Sequence, residues 1–235
     1  CIRDRLKYYI PLFILWGSAE SVLIIQRDLG MALLLFGVFI GLFYVITRKA
    51  VLTAAGITMF CGASFMLYKI FSHVRVRIDT WWNPWIDPEG VGYQIIQSLY
   101  SLANGGMLGA GLGRGEPSLI PAVHTDFIFV AISEELGLVG AIVVLTAYVI
   151  LVQRFFKTAM SADEEFGSFL ALGFALLFAT QVFIIVGGAV KLIPLTGITL
   201  PFVSYGGSSV VSNFILLAIY IQISGKVRRR QLKDK

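Results

Sequence analysis

Charge is scarce in this chain. Asp, Glu, Lys and Arg make up 14% of its 235 residues, against about a quarter in soluble domains. Hydrophobic residues supply 57%, and the mean hydropathy is +0.82. That balance excludes an ordinary water-soluble core. Apolar runs recur, and each is long enough to cross a hydrocarbon layer of about 30 Å. Cysteine is equally sparse. Cys1 and Cys61 suggest no disulfide framework, and Cys61, inside an apolar segment, is expected to be inert packing. The two histidines, His73 and His124, lie far apart and give no metal pair. No clustered carboxylates suggest a metal cage. Neither a methionine nor a signal-peptide pattern opens the chain at Cys1, which suggests the C-terminal part of something longer.

What is present is a succession of apolar runs. They predict an all-α fold: a polytopic helical membrane protein with six transmembrane helices in a single membrane domain. The spans are expected at roughly 9–25, 31–47, 51–71, 127–153, 167–190 and 203–224. Arg3, Arg5 and Lys7, the Arg48-Lys49 turn, Arg154 with Lys157 and the basic tail 225–235 hold 13 of the 19 Lys and Arg residues. The positive-inside rule makes that side cytoplasmic. The net charge of +5 therefore reads as membrane anchoring, with no nucleic acid expected. Arg27, Lys69, Arg75, Arg77, Arg114 and Lys191 fall on the other side.

The segment 72–126 then forms a long extracytoplasmic loop. Trp81, Trp82 and Trp85 suit the headgroup level. Apolar residues from Tyr93 to Ala103 recur with a helical period, and Asn104-Gly105-Gly106 should stop that helix. It is too short to span, so a surface-lying or re-entrant helix is expected. Arg75 and Arg77 would share one face of an extended segment, as a substrate clamp or a headgroup-facing pair. Pro194 and Pro201 forbid a continuous helix between the last two spans. Ser204 to Ser209 should open the last span, with Gly206 and Gly207 as an anion-contacting backbone or a tight capped turn.

Asp126 is the leading candidate site. It lies in His124-Thr125-Asp126-Phe127 at the mouth of a long apolar run, where an acid is costly to keep dry. If the following helix continues through it, Asp126 stands about 12 Å beyond Glu134 at roughly 1.5 Å per residue. Capping that helix is its bland alternative. Glu20 is a second intramembrane acid, expected to face the bundle interior, with no assigned role.

The stretch Ile193 to Ser209, with its Pro-Leu-Thr-Gly-Ile-Thr-Leu-Pro-Phe-Val-Ser-Tyr-Gly-Gly core, resembles the signature of the SEDS proteins, the FtsW/RodA/SpoVE family. Other pieces arrive in the family's order: Gln26 to Gly30, Asn83-Pro84-Trp85, Gly92-Tyr93-Gln94, Gly111-Leu112-Gly113, His124 to Phe129 and Glu134 to Gly137. Three positions depart from the pattern. Pro121-Ala122-Val123 stands where a glutamate is frequent, Ile185 where an asparagine is common, and Arg27 where proline is frequent. The resemblance implies ten spans, of which these would be the last six. It implies a peptidoglycan glycosyltransferase that polymerises lipid II at the outer face of the bacterial inner membrane, in division, elongation or sporulation. A class B penicillin-binding protein is the implied partner, with other divisome or elongasome membrane proteins. Asp126 matches the aspartate regarded as essential.

That chemistry needs a base for an acceptor hydroxyl and positive charge for a departing diphosphate. Asp126 is the candidate catalytic base. Asp28, Arg75, Arg77, Arg114, Lys191, Ser204, Gly206 and Gly207 are candidate substrate contacts. Asp28 has the alternative of holding Arg27 or a helix end. His124, Thr125, Gln26 and Glu134 are candidate supporting residues, and Glu134 is equally an interfacial acid. No metal ligands are assigned. A divalent cation such as Mg²⁺, held by one aspartate and diphosphate oxygens, stays open. Two other functions compete: a flippase for the same lipid, and a non-catalytic scaffold for the penicillin-binding protein.

Overall fold

The computed structural model describes residues 10–233; Cys1, the basic Arg3, Arg5 and Lys7, and the terminal Asp234 and Lys235 lie outside the described residues. Among the described residues the chain is all-helical, with no strand. Eight helices follow in order: α1 (Ile10–Ile25), α2 (Leu29–Thr47), α3 (Ala50–Ile70), α4 (Ser72–Trp82), α5 (Tyr93–Gly105), α6 (Ile128–Ser161), α7 (Glu165–Ala189) and α8 (Gly207–Lys233). Helices α2, α3, α6, α7 and α8 are long and apolar enough to cross a membrane, and α1 is a shorter apolar helix of 16 residues. This is a multi-pass membrane protein.

Three helices make the centre. α7 packs on both α6 and α2, and its Phe174, Ala175 and Phe178 are buried against Phe155 of α6. The α2–α7 seam is built from small residues. A Cβ on Gly37 would lie 2.8 Å from Thr180 Cγ2, and one on Gly41 would lie 2.9 Å from Leu176 Cδ1. Small residues let helices approach closely where no water drives them together. Leu34, Tyr148, Val182, Ile198 and Leu200 complete the core beneath the loop that joins α7 to α8.

Several expectations are corrected. α3 has no buried residue, so Cys61 is exposed on it rather than packed inside. α4 is helical, not extended. At about 100° per residue, Arg75 and Arg77 point to widely separated directions instead of one face. Arg75 turns back to donate to the Lys69 carbonyl at 2.9 Å and covers the Tyr68 ring. α8 begins at Gly207, past Ser204, and continues as helix into the basic tail. α6 begins at Ile128, so Asp126 sits in a turn ahead of the helix and does not stack above Glu134 along it.

The main departure from regularity is inside α6. Gly137 has φ 68° and ψ −168°, a backbone conformation that only glycine adopts readily. An unbroken helix would pair the Leu138 and Val139 amides with the Glu134 and Glu135 carbonyls. Here Leu138 and Val139 donate to Gly106 and Met107, at 3.0 and 3.3 Å. The freed carbonyls of Glu134 and Glu135 accept from Ala110 and Gly111, at 2.9 and 3.0 Å. The glycine loop after α5 thus supplies what the break removes. Its backbone lies so close that a Cβ on Gly137 would collide with Gly109 N and Met107 O.

Gly137→Ala should therefore expel the loop. We expect a destabilisation on the order of 1–3 kcal/mol and faster amide exchange across 106–111, with α7 still protected. Unchanged exchange in that loop would show that the break does not hold it.

Candidate active site

Asp126 lies between its own turn and the loop that carries Gly197. Its own turn is tightened by the Thr125 and Asp126 amides, which both donate to the Ala122 carbonyl at 3.1 Å. Ala122 has φ 56°. Phe127, fully buried with Ile120, Val123 and Val130, anchors the turn to the core. The Asp126 carboxylate faces Gly197, where a Cβ would stand 3.6 Å from Oδ2. Gly197 has φ 75°, so the loop offers bare backbone to the acid. Asp126 does not cap α6, whose N-cap residue Phe127 makes no side-chain cap bond.

Side chains from distant segments fasten these loops by their carbonyls. The Ser204 hydroxyl donates to Thr125 O and accepts from the Leu200 amide at 2.8 Å. The Tyr205 amide donates to His124 O at 2.8 Å. From α5, Gln94 Nε2 donates to Pro121 O at 2.8 Å. From α7, Gln181 Nε2 donates to Thr199 O at 2.7 Å. From α4, Trp81 Nε1 donates to Lys191 O at 3.1 Å. Tyr148 of α6 donates to Pro201 O at 2.6 Å. The Trp81 bond docks α4, and α4 carries Arg77.

Burial raises the Asp126 carboxyl above the usual carboxylate range. The adjacent Thr125 side chain, whose hydroxyl donates to the Ala122 carbonyl at 3.1 Å, and the positive charge of Arg77 pull it part of the way back. Desolvation disfavours the charged form, and an opposite charge restores it. The result is a half-buried acid of increased basicity, within the field of one cation and facing an open backbone loop.

The other candidates divide. Arg77, exposed on α4, makes no ion pair with Asp126, but its charge acts on the carboxyl. Asp28 caps α2, with Oδ1 accepting the Met31 amide at 3.0 Å, so its helix-end role is the visible one. The start of α2 nevertheless abuts the site, since a Cβ on Gly30 would lie 2.6 Å from Thr196 O. Ser204, Thr125 and His124 act in the clamp described above, His124 through its carbonyl. Lys191 likewise enters through its carbonyl. Gly206 and Gly207 stand at the start of α8, next to the Tyr205–His124 link. Arg75 is engaged with Lys69 and Tyr68, away from Asp126. Arg114 and Gln26 are exposed, and no described interaction joins them to Asp126.

Glu134 is 2% exposed. Its Oε1 accepts from Asn104 Nδ2 at 3.0 Å and from the Glu116 amide at 3.2 Å, while Oε2 has no partner. It organises the glycine loop, not the Asp126 turn. Among the described residues no three His, Cys, Asp or Glu side chains gather closely enough to hold a metal ion. A divalent cation at Asp126 would need ligand oxygens such as those of a diphosphate to complete its shell.

Sequence reasoning missed Gly197, Trp81 and Gln181 as parts of this site. Gln181 left a legible signal, as the single amide side chain in the apolar α7. Ser204→Ala would strand the buried Leu200 amide and the Thr125 carbonyl. We expect a loss of roughly 1–3 kcal/mol by thermal unfolding and faster amide exchange near 125 and 200. A neutral result would remove Ser204 from the clamp.

Comparison with known proteins places this geometry. Residues 1–229 match the FTSW_RODA_SPOVE model, described as a cell cycle protein. The chain is 47% identical over 219 residues to peptidoglycan glycosyltransferase RodA of Mycobacterium tuberculosis, covering 93% of this chain and 47% of the relative. It is 35% identical over 233 residues to a probable peptidoglycan glycosyltransferase FtsW of Geobacter sp. strain M18, covering 96% and 63%. Among solved structures, a chain of a peptidoglycan synthase complex, studied for the coordination of polymerization and crosslinking, aligns with a TM-score of 0.78 at 26% identity. That match covers 96% of this chain and 64% of the other. RodA of Thermus thermophilus shares the fold, with a TM-score of 0.60 at 24% identity over 94% of this chain and 57% of that one. The chain spans about half the length, 47%, of the mycobacterial relatives it matches. The chain belongs to the FtsW/RodA/SpoVE family.

Proposed function

We propose that this chain carries the polymerising centre of a peptidoglycan glycosyltransferase. Its substrate is lipid II, and its active face is extracytoplasmic on the bacterial inner membrane. The observation that supports this reading most is the Asp126 carboxylate, half-buried against Gly197 with Arg77 as its counter-charge. The names of the relatives supply the reaction class. The basic ends of α6 and α8 and the Arg48-Lys49 turn support placing the opposite end of the bundle in the cytoplasm.

In this mechanism Asp126 takes the proton of the acceptor sugar's 4-hydroxyl as the oxygen attacks the donor's anomeric carbon. A carbon–oxygen bond forms there while the bond to undecaprenyl diphosphate breaks on the opposite side, inverting the centre. The leaving group keeps the bonding electrons, and Arg77 is the cation best placed to meet its charge. The α8 N-terminus, at Gly206-Gly207, adds backbone amides on the same side. The remaining work is positioning, by the loop clamps around Ser204 and Gln181. A class B penicillin-binding protein is the partner that would crosslink the product, with other division or elongation membrane proteins around it.

The test is lipid II polymerisation by the full-length protein in detergent, with and without its penicillin-binding partner. No bilayer exists there to flip lipid across, so a flippase or an inert scaffold would give no polymer. Asp126→Asn should lose on the order of 10²–10⁴-fold in rate while remaining folded, because the neutral amide avoids the desolvation that the carboxylate bears. Wild-type rates from that variant would discard Asp126 as the base.

The pH dependence follows from the same carboxyl. A base must be ionised, so the rate should fall as pH drops through the raised Asp126 pKa, above the range of an ordinary aspartate. Arg77 holds that pKa down. Arg77→Ala should therefore shift the acidic limb to higher pH, besides slowing the reaction. A limb that stays in place in Arg77→Ala would disconnect the two residues.

A further inference from the structure

At the end of the bundle opposite Asp126, the last turns of α6 and α8 enclose a notch of about 160 Å³. Arg154 and Lys157 of α6 and Arg228 of α8 line it, together with the hydroxyls of Thr158, Ser161 and Ser224. Among the described residues no carboxylate lines it. Among the described residues the ion pair at this end joins Arg230 to Asp163 at 3.3 Å. Arg228 and Arg230 lie about 200° apart on the helix, so that pair sits on the other flank of α8. Tyr220 fixes the floor. Its ring packs edge-on against Phe155, with centroids 4.4 Å apart. Its hydroxyl lies 3.0 Å from Thr158 Oγ1 and donates to Arg154 O at 3.1 Å.

Cations in a final helical turn complement the helix dipole. That role accounts for one basic residue at a helix end. It does not account for three cations from two helices turned into one recess with three hydroxyls and, among the described residues, no counter-charge. The recess also continues into hydrocarbon. Ile150 and Val143, one and three turns back from Arg154 on the same face of α6, are 52% and 64% exposed. An acyl chain lying along that stripe would deliver its phosphate to Arg154.

We propose that this notch binds the phosphodiester headgroup of an acidic phospholipid of the phosphatidylglycerol type, in the leaflet that the basic residues assign to the cytoplasm. Arg154, Lys157 and Arg228 neutralise the phosphate, the Ser161 and Ser224 hydroxyls donate to its oxygens while Thr158 donates to Tyr220, and the Val143–Ile150 stripe takes a chain. The lipid wedges the ends of α6 and α8 beyond the Phe155 cluster, where Leu216, Tyr220 and Ile223 of α8 pack. This site is independent of the chemistry at Asp126.

Native mass spectrometry of the full-length protein in a neutral detergent tests it, since no charged surface then adds unspecific attraction. Titration with phosphatidylglycerol should show one saturable lipid, favoured over phosphatidylcholine and retained against millimolar inorganic phosphate. Arg154→Ala/Lys157→Ala/Arg228→Ala should weaken binding on the order of a hundredfold, from about fivefold per cation. Lys226→Ala/Arg229→Ala/Arg230→Ala, which removes equal charge outside the notch, should change it by less than about threefold. Equal losses in both triple variants, no preference over phosphatidylcholine, or displacement by inorganic phosphate would each overturn the proposal. A photoreactive phosphatidylglycerol on the wild-type protein guards against a misfolded variant. Crosslinks should map to 154–161 and 220–231, and crosslinks confined elsewhere would overturn it equally.

Discussion

Backbone polar groups at membrane depth must be satisfied inside the protein, and the structure turns on how α6 meets that requirement at Gly137. Each unpaired amide or carbonyl in hydrocarbon costs several kcal/mol by order of magnitude. The break frees two carbonyls and two amides, and the loop after α5 returns two amides and two carbonyls to them. The exchange is reciprocal, so neither partner is stable in this form alone. It explains why glycine occupies both faces of the contact, at 109 and 137. It also redirects the first part of α6, from Ile128 to Leu136, away from the line of the remaining helix. That short segment begins at the Asp126 turn, so the orientation of the carboxylate is inherited from a junction some ten residues away.

A second regularity governs the site itself. The loops that carry Asp126 and Gly197 have few regular backbone partners, and their carbonyls would be orphans at the end of a bundle. Distant side chains serve them: Gln94, Gln181, Trp81, Tyr148 and Ser204 each donate to a loop carbonyl. The donors come from α4, α5, α6, α7 and the loop before α8. Such bonds fix backbone geometry while leaving the loops' own side chains free for a ligand. Preorganisation of this kind lets a site meet developing charge without reorganising at the moment of reaction.

These two features differ in how far the sequence discloses them. The apolar runs, the stop at Asn104-Gly105-Gly106 and the proline-interrupted loop before α8 were legible, because each follows from local periodicity or backbone chemistry. The break at Gly137 was not. An isolated glycine in a helical pattern is usually tolerated, and only the contact with Gly109 makes this one decisive. α4 misled for a related reason. Val74, Val76, Ile78 and Thr80 alternate with His73, Arg75, Arg77 and Asp79, the period of a strand. No neighbouring strand exists among the described residues, so a helix is the form that satisfies the backbone. Cys61 was misjudged because α3 buries no residue. In a lipid environment, apolar sequence does not distinguish a protein-facing surface from a lipid-facing one. The Asp126 motif was legible as a place, but its neighbours Arg77 and Gly197 come from segments whose approach depends on Trp81 and on a positive-φ glycine.

The balance at Asp126 follows from those same approaches. Full burial without a counter-charge would leave the carboxyl protonated at neutral pH and unable to accept a proton. Full exposure would return it to an ordinary aspartate, ionised but weakly basic. Burial by the core beneath Phe127 raises it, and Thr125 with Arg77 limits the rise. The two influences reside on different elements: burial on the α6 junction, and charge on α4, which an indole hydrogen bond ties to the loop after α7. Movement of α4 would change the basicity of Asp126 without moving the carboxylate. The basicity of Asp126 is therefore coupled to the position of α4, so that two separate elements set the protonation of one carboxyl.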